Sequence, residues 1–485
     1  MEELRAVTTL VRRRVLKGLA RNPAAPDRMV HRLARAPWGA EEIARRREQM
    51  TEELATVLLE TGGRESAVAL GRNARLPVSV RRRLAAHTDA EVRATAARRF
   101  ARTLIEPGYE TPVGLLTELA GDPDPRVRSE VAAHSRTPDE VRTRLAADAV
   151  VKVRVAVATW WKAPPSEVHR TLLTDPDPAV RKAVCSPWHP VPPADLHLAL
   201  LAVPETRPFV AQHITLTPAI ALELARDPEE EVRAGVAGNP DLPQALRDEL
   251  ADDHNALVRH ALLVSQHTPH ETRIRLHEEV LAGAESDDEW FVVDALLGAA
   301  WMGHELRWLH RVSVEERLAL LDSPLSFLRY GVASGVRDLP AAAVDRLLND
   351  PDPHVQRITA LCAASPSPAE LERIVREHGD HRKVRPGILG RPDFPTQAYA
   401  RFATAERAEL RAAAAATALP AETLEALAVD VEPWVRSVAA GNPHLPLRCL
   451  PRLLADEQRD VAEQAGTSVL LPEKWMDALL TAEGL

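Results

Sequence analysis

A Val-Arg pair returns along this chain at a nearly fixed interval, and that recurrence limits the fold more than any other feature. Val127-Arg128, Val153-Arg154, Val180-Arg181, Val232-Arg233, Val258-Arg259, Val384-Arg385 and Val435-Arg436 carry it, with Leu328-Arg329, Leu410-Arg411, Val355-Gln356 and Val461-Ala462 as variants. Successive steps are 26 and 27 residues from Val127 to Val180, 26 from Val232 to Val258, and 27, 29, 26, 25 and 26 from Leu328 to Val461. Weaker copies at Val15, Ser66, Val92 and around Arg207 bring the total to about fifteen units. A fixed period of this length marks a repeat architecture, in which each unit buries its apolar face only against its neighbours.

Each unit reads as two short helices. Turns such as Asp122-Pro123-Asp124-Pro125 and Asp350-Pro351-Asp352-Pro353 offer an Asp N-cap followed by Pro at the first helical position. Apolar residues then fall at helical spacing, as in Val127, Val131 and Ala132 or Val232, Val236 and Ala237. A breaker follows, Asn239-Pro240-Asp241-Leu242-Pro243 or Asn442-Pro443-His444-Leu445-Pro446. The second helix opens on expected capping boxes, Thr137 with Glu140, Thr268 with Glu271 and Ser367 with Glu370, and buries Leu145, Leu246, Leu250 and Leu427. Two proline-marked helix starts per unit explain the 39 prolines among 485 residues, one per 12.4. An interior proline costs a helix about 3 kcal/mol, so long rods are excluded. Only 4% of residues are aromatic although 45% are hydrophobic, so the core is expected to be Ala, Leu and Val.

The unit D-P-x-V-R-x-x-V-A-x-N-P-x-L-P-x-x-x-L-x-x-L-A resembles the leucine-rich repeat variant family over most of residues 120–270 and 325–475. The resemblance implies an all-α, right-handed superhelical solenoid of alternating α and 3-10 helices, related in architecture to HEAT arrays. The founding branch of that family carries an iron–sulfur module on an N-terminal cysteine cluster. Cys185, Cys362 and Cys449 lie far apart, so no cluster, metal or other cofactor is expected. The same cysteine usage, with no signal-like or membrane-spanning apolar stretch, points to a soluble cytoplasmic chain without a membrane partner.

Four regions follow from the regularity of the pattern. Residues 1–119 read as degenerate repeats containing one longer helix over 37–65, and 120–270 as regular repeats. Residues 271–325 read as an irregular helical insertion, proline-free from 270 to 323, and 326–485 as regular repeats with a C-terminal cap. Residues 98–115 also depart from the pattern, around Glu106-Pro-Gly-Tyr109. The charge is uneven: the net is −9, yet residues 1–48 hold twelve Arg/Lys against six Asp/Glu, and 226–294 hold six against seventeen.

Three constellations carry possible chemistry. The repeated Arg could track a phosphate backbone, or it could pair with the Asp of neighbouring turns and set the stacking register. Trp160, Trp161, Trp188 and His189 replace the Asn-Pro breaker in two consecutive units, and suit either a protein contact or a local core cap. Trp290 and Asp294, with Arg329 on the next repeat, are similar to the arrangement in HEAT-like-repeat alkylpurine DNA glycosylases. That arrangement implies a catalytic Asp294 with Trp290 beside the base and Arg329 on phosphate. Glu285, Asp287, Asp288 and Glu289 surround it and would repel phosphate, whereas a core role for Trp290, Trp301 and Trp308 needs no ligand. Neither His189 with His197 nor His378 with His381 has convincing metal spacing.

The leading expectation is a non-enzymatic scaffold that binds another protein through its concave face and variable turns. Trp160, Trp161, Trp188, His189, Asp287, Asp288 and Glu289 are its expected contacts, and the acidic ones suit a basic partner surface or the basic N-terminus of another copy. The alternative is a nucleic-acid-binding or glycosylase-like protein acting through Trp290, Asp294 and Arg329.

Overall fold

A computed structural model describes residues 9–48, 50–98, 110–186, 188–283, 306–378 and 384–485. Every regular element among them is an α or 3-10 helix, and the helices alternate as pairs along the chain in an all-α solenoid. The chain forms two compact units, one of Met1–Val168 together with Gln397–Leu485, the other of His169–Thr396. None of the described helices is long and apolar enough to cross a membrane.

The repeat is built as its residues dictate. In the first unit, Asp124 accepts from the Arg126 amide and Pro125 opens the helix Pro125–Ala133. Val127, Val131 and Ala132 are buried, and Leu145 of the following helix Asp139–Leu145 closes over them. In the second unit, Asp352 caps Pro353–Cys362 in the same way. Ser367 and Glu370 form the expected reciprocal cap, with Glu370 N–H donating to Ser367 Oγ at 3.3 Å and Ser367 N–H to Glu370 Oε2 at 3.0 Å.

Three local expectations need correction. Thr137 and Thr268 form no capping box; each hydroxyl donates back to the preceding helix, to Val131 O and Leu262 O at 2.6 Å. The single helix expected over 37–65 is three, Pro37–Arg46, Glu52–Thr61 and Gly63–Gly71. Thr51 starts the second by accepting from the Leu54 amide, and Gly63, at φ +61°, takes a left-handed turn that other residues resist. Second helices are mainly α, as in Ala341–Leu348 and Ala421–Leu427; 3-10 turns open some of them, such as Ala194–Leu196 and Leu447–Cys449, or follow a helix, as Leu320–Asp322 and Val336–Asp338 do.

The recurring polar positions of the unit turn inward and fasten one repeat to the next. Arg128 Nε and Nη2 hold both oxygens of Asp148 at 2.7 and 2.9 Å, while Nη1 bonds Asp122 O at 2.8 Å in its own leading turn. Asp148 Oδ1 also accepts from the Val150 amide, which shapes the next leading turn. Arg93–Asp122, Arg411–Asp430 and Arg436–Asp456 repeat the bidentate pair in the first unit. Arg233–Asp253 and Arg329–Asp350 repeat it in the second. The Asp–Arg ladder is therefore present. Gln356 keeps only half of it, donating to Asp350 O at 2.7 Å.

Two further ladders run beside this one. Asn73, Asn239 and Asn442 each donate through Nδ2 to two carbonyls at the end of the previous repeat's first helix, for example Ala211 O and Ile214 O at 2.9 and 2.8 Å from Asn239. Arg81, Arg142, Arg247 and Arg273, on the second helices, reach back to carbonyls where their own first helix stops, as Arg247 does to Ala237 O at 3.1 Å. Burial lowers the Arg81 and Arg273 pKa to about 10, still far enough above neutrality to keep them charged.

Breaking one buried rung leaves a desolvated charge behind. Asp350→Ala is expected to lower stability by about 3 kcal/mol, whereas Glu249→Ala, which removes an exposed partner of Arg226, barely moves the urea midpoint. The ladder also sets the acid limit. Hydrogen bonds from their arginines hold Asp122, Asp148 and Asp430 below the usual carboxylate range. Fewer protons are then bound in the folded chain, so this stabilisation is complete above the unfolded Asp pKa of about 4 and is lost as pH falls through the lower folded values. Thermal midpoints recorded by circular dichroism from pH 7 to pH 2 should be level down to about 4 and fall below it.

Candidate functional site

The ladder gathers its polar groups at one end of each first helix and leaves the outward face of that helix available. In the first unit this face forms an open groove of about 790 Å³ across four consecutive repeats, within the ~300–1,000 Å³ of ordinary ligand sites. Arg126, Ser129, Glu130 and Ala133 line it from one helix, at a spacing that places them opposite buried Val127 and Val131. Lys152, Ala156 and Trp160 come from Val151–Trp160, and Glu91, Ala94, Thr95 and Arg98 from Ala90–Ala96 and the residues just after it. Arg72 completes the wall. Alanines thus lie between charged rims, and Trp160, 45% exposed, supplies the aromatic surface.

The charges are mixed. Arg72 lies 3.7 Å from Glu91, and Arg126 is held by Asp124 at 2.8 Å. Burial pushes the Glu130 carboxyl above the ordinary glutamate range, against the opposing pull of Arg98 and Lys152. A groove of this kind can hold a backbone over small residues, seat an apolar side chain on the indole, and pair with charges at both rims.

The sequence-derived candidates fall into separate environments. Trp160 lines the groove, but Trp161 is buried at 4% exposure with the Arg142 guanidinium 5.7 Å from its ring centre. His189 is also buried, with Ser186 Oγ 2.7 Å from its Nδ1. Neither Trp161 nor His189 can be a surface contact; both take the space left where the usual Asn-Pro turn is missing. Trp188 is 47% exposed and belongs to the second unit.

Arg329 is buried and engaged bidentately by Asp350 at 2.7 and 2.9 Å, which turns its guanidinium inward. Trp290, Asp294, Asp287, Asp288 and Glu289 lie outside the described residues, as do Glu285, Trp301, His381 and the Glu106–Tyr109 loop. Trp308 is half-buried: its indole N–H donates to Val264 O at 3.0 Å and Arg273 stands over its ring. Cys185, Cys362 and Cys449 are free thiols, and burial raises Cys185 to about 12.

Comparison with known proteins gives limited likeness. No protein-family model and no curated protein matches the sequence. Among solved structures the chain is similar to an engineered protein at 16% identity, covering 80% of this chain and 97% of the other, with a TM-score of 0.19. It is similar to Kap95p, whose binding switches the loops of RanGDP to the GTP-bound conformation, at 13% identity, 94% and 62% coverage and a TM-score of 0.21. It is also similar to the karyopherin Kap121p bound to the extreme C-terminus of the protein phosphatase Cdc14p, at 13% identity, 95% and 46% coverage and a TM-score of 0.20. Likeness at this level decides neither family nor function, so the reading of the chain rests on its own geometry.

The adjacent tryptophans provide a direct check of that geometry. Trp161→Ala should cost about 3–5 kcal/mol, as expected for a buried indole, and Trp160→Ala less than about 0.5 kcal/mol, both measured by scanning calorimetry.

Proposed function

We propose that this chain is a non-enzymatic, cytosolic scaffold of leucine-rich repeat variant type that binds an extended segment of another protein. One observation carries the reading: the groove on the first-helix face spans four repeats, has a floor of small side chains, and presents Trp160 beside Lys152, Arg98 and Glu130. Groove-lining side chains on rigid stacked helices lose little freedom on binding, which favours capture of a flexible peptide segment. Aromatic and arginine anchors beside small residues suit a protein partner. The mixed rim suits a partner segment bearing both signs of charge. Exposed Trp188 is a second contact point, on the other unit.

Binding along a phosphate backbone finds less support. The repeated arginines at 93, 128, 233, 329, 411 and 436 hold carboxylates within the fold and so form no basic stripe.

Ala156→Arg should fill the groove, and Trp160→Ala should remove its anchor. Affinity capture from native lysate, read by mass spectrometry, is expected to enrich specific proteins with the wild type and to lose them with either variant at unchanged melting temperature. Identical capture by both variants would place the contact elsewhere. Steeply salt-dependent binding to duplex DNA by the wild type would replace the protein reading with the nucleic-acid one.

A further inference from the structure

The first unit contains one repeat junction that the chain does not enforce by connectivity. The helix Arg459–Thr467, from the last repeat, packs against Thr9–Leu19, from the first, as though it preceded it. The approach is close enough to require glycine on both sides. A Cβ on Gly18 would lie 1.9 Å from Glu463 O, and one on Gly466 would lie 2.2 Å from Val15 O. Asn22 then donates to Gly466 O and Ser468 O at 3.0 and 2.8 Å, the same two-carbonyl bridge that Asn73, Asn239 and Asn442 make to the repeats before them. Helices Thr9–Leu19 and Arg459–Thr467 thus present complementary repeat surfaces to each other.

This junction is held differently from its neighbours. Ala462 occupies the place of the ladder arginine, so the buried Arg–Asp rung is missing. In its place is an outer lattice of charge. Arg28 and Arg32, one turn apart on Asp27–Ala34, meet Glu473 and Asp477, one turn apart on Glu473–Ala482. Beneath them Arg21 pairs with the buried Glu463 at 2.7 Å, and towards solvent Arg12 and Arg14 donate to Ala482 O and Glu457 O at 2.7 and 2.6 Å. The surplus of basic residues at the N-terminus therefore has a partner within the chain. Pairs that reach solvent are screened by salt, whereas the buried rungs elsewhere are screened much less.

We infer that the terminal repeats form an electrostatic clasp whose release lets the same two faces join separate copies head to tail. The interaction surface is the face of helices Thr9–Leu19 and Asp27–Ala34, and its partner is the Arg459–Thr467 and Glu473–Ala482 face of a second chain. An exchange of identical elements between copies forms no new type of contact, and the asymmetric pairing extends from chain to chain. The inference is independent of the groove.

The test uses the full-length chain carrying Arg28→Cys and Glu473→Cys, positions exposed enough to tolerate the change. Isotope-labelled and unlabelled copies are mixed in equal amounts, incubated at low salt or at about 1 M sodium chloride, where the screening length is ~3 Å, then returned to low salt and oxidised. Mass spectrometry of peptides joined through positions 28 and 473 reads the origin of each half. Pure light and pure heavy pairs are expected from the low-salt sample, and from the high-salt one a share of mixed pairs that grows with the protein concentration at which the salt is removed. Mixed pairs absent in both samples, equally abundant in both, or no joined peptides at all would each overturn the inference. Arg32→Glu in the same background should lower the salt needed for mixing, and adding Asp477→Arg should restore it; no shift would remove the electrostatic basis. Sedimentation of the unsubstituted protein, concentrated at about 1 M salt and then returned to low salt, should show dimers whose share grows with concentration, and a monomer at every concentration would also overturn it.

Discussion

A guanidinium that bonds its own leading turn on one side and the next repeat's aspartate on the other is the constraint on which the rest of this structure depends. Two short helices of seven to ten residues, such as Asp139–Leu145 and Pro125–Ala133, bury too little to stand alone. Apolar contacts between successive Ala, Leu and Val faces supply attraction without direction. The planar fork of Arg128 on Asp148 supplies direction, because two parallel hydrogen bonds tolerate little sliding between repeats. A buried ion pair of this kind contributes modestly to net stability, so its larger effect is on register.

That inward commitment determines which surfaces are left for binding. Guanidiniums that would have formed a basic stripe are neutralised by Asp122, Asp148, Asp253, Asp350, Asp430 and Asp456. On the opposite faces of the first helices Glu91, Arg98, Arg126, Glu130, Lys152 and Trp160 depart from the repeat and line the groove. Where the arginine itself is replaced, the junction changes character: Gln356 retains the turn but loses the ion pair, and Ala462 lies at the join between the last repeat and the first.

Much of this was legible residue by residue, and the omissions have physical causes. Val127, Val131, Ala132 and Leu145 are buried as their spacing requires, and Asp124 and Asp352 cap the helices that follow them. Two signals were visible but unread. An Asn stands seven residues after Val15, Ser66, Val232 and Val435, and an Arg fifteen after Ser66, Val127, Val232 and Val258. Both sets bond carbonyls near the breaker, which turns an apparent helix stop into a junction between helices and repeats. Trp160 and Trp161 were indistinguishable by composition. Adjacent residues at a helix end diverge, so one indole reached the groove and the other the core.

The sequence by itself determined the period, the two-helix unit and the apolar face of each helix, because all of these are local or recur at constant spacing; it left the repeated Arg open to a phosphate or an Asp, and the fold paired it with Asp. Tertiary structure alone decided that four outward faces in the first unit align into one groove and that Gly18 meets Gly466 across most of the chain. Those juxtapositions depend on rotations accumulated over many repeats, and no spacing within a single repeat encodes that sum.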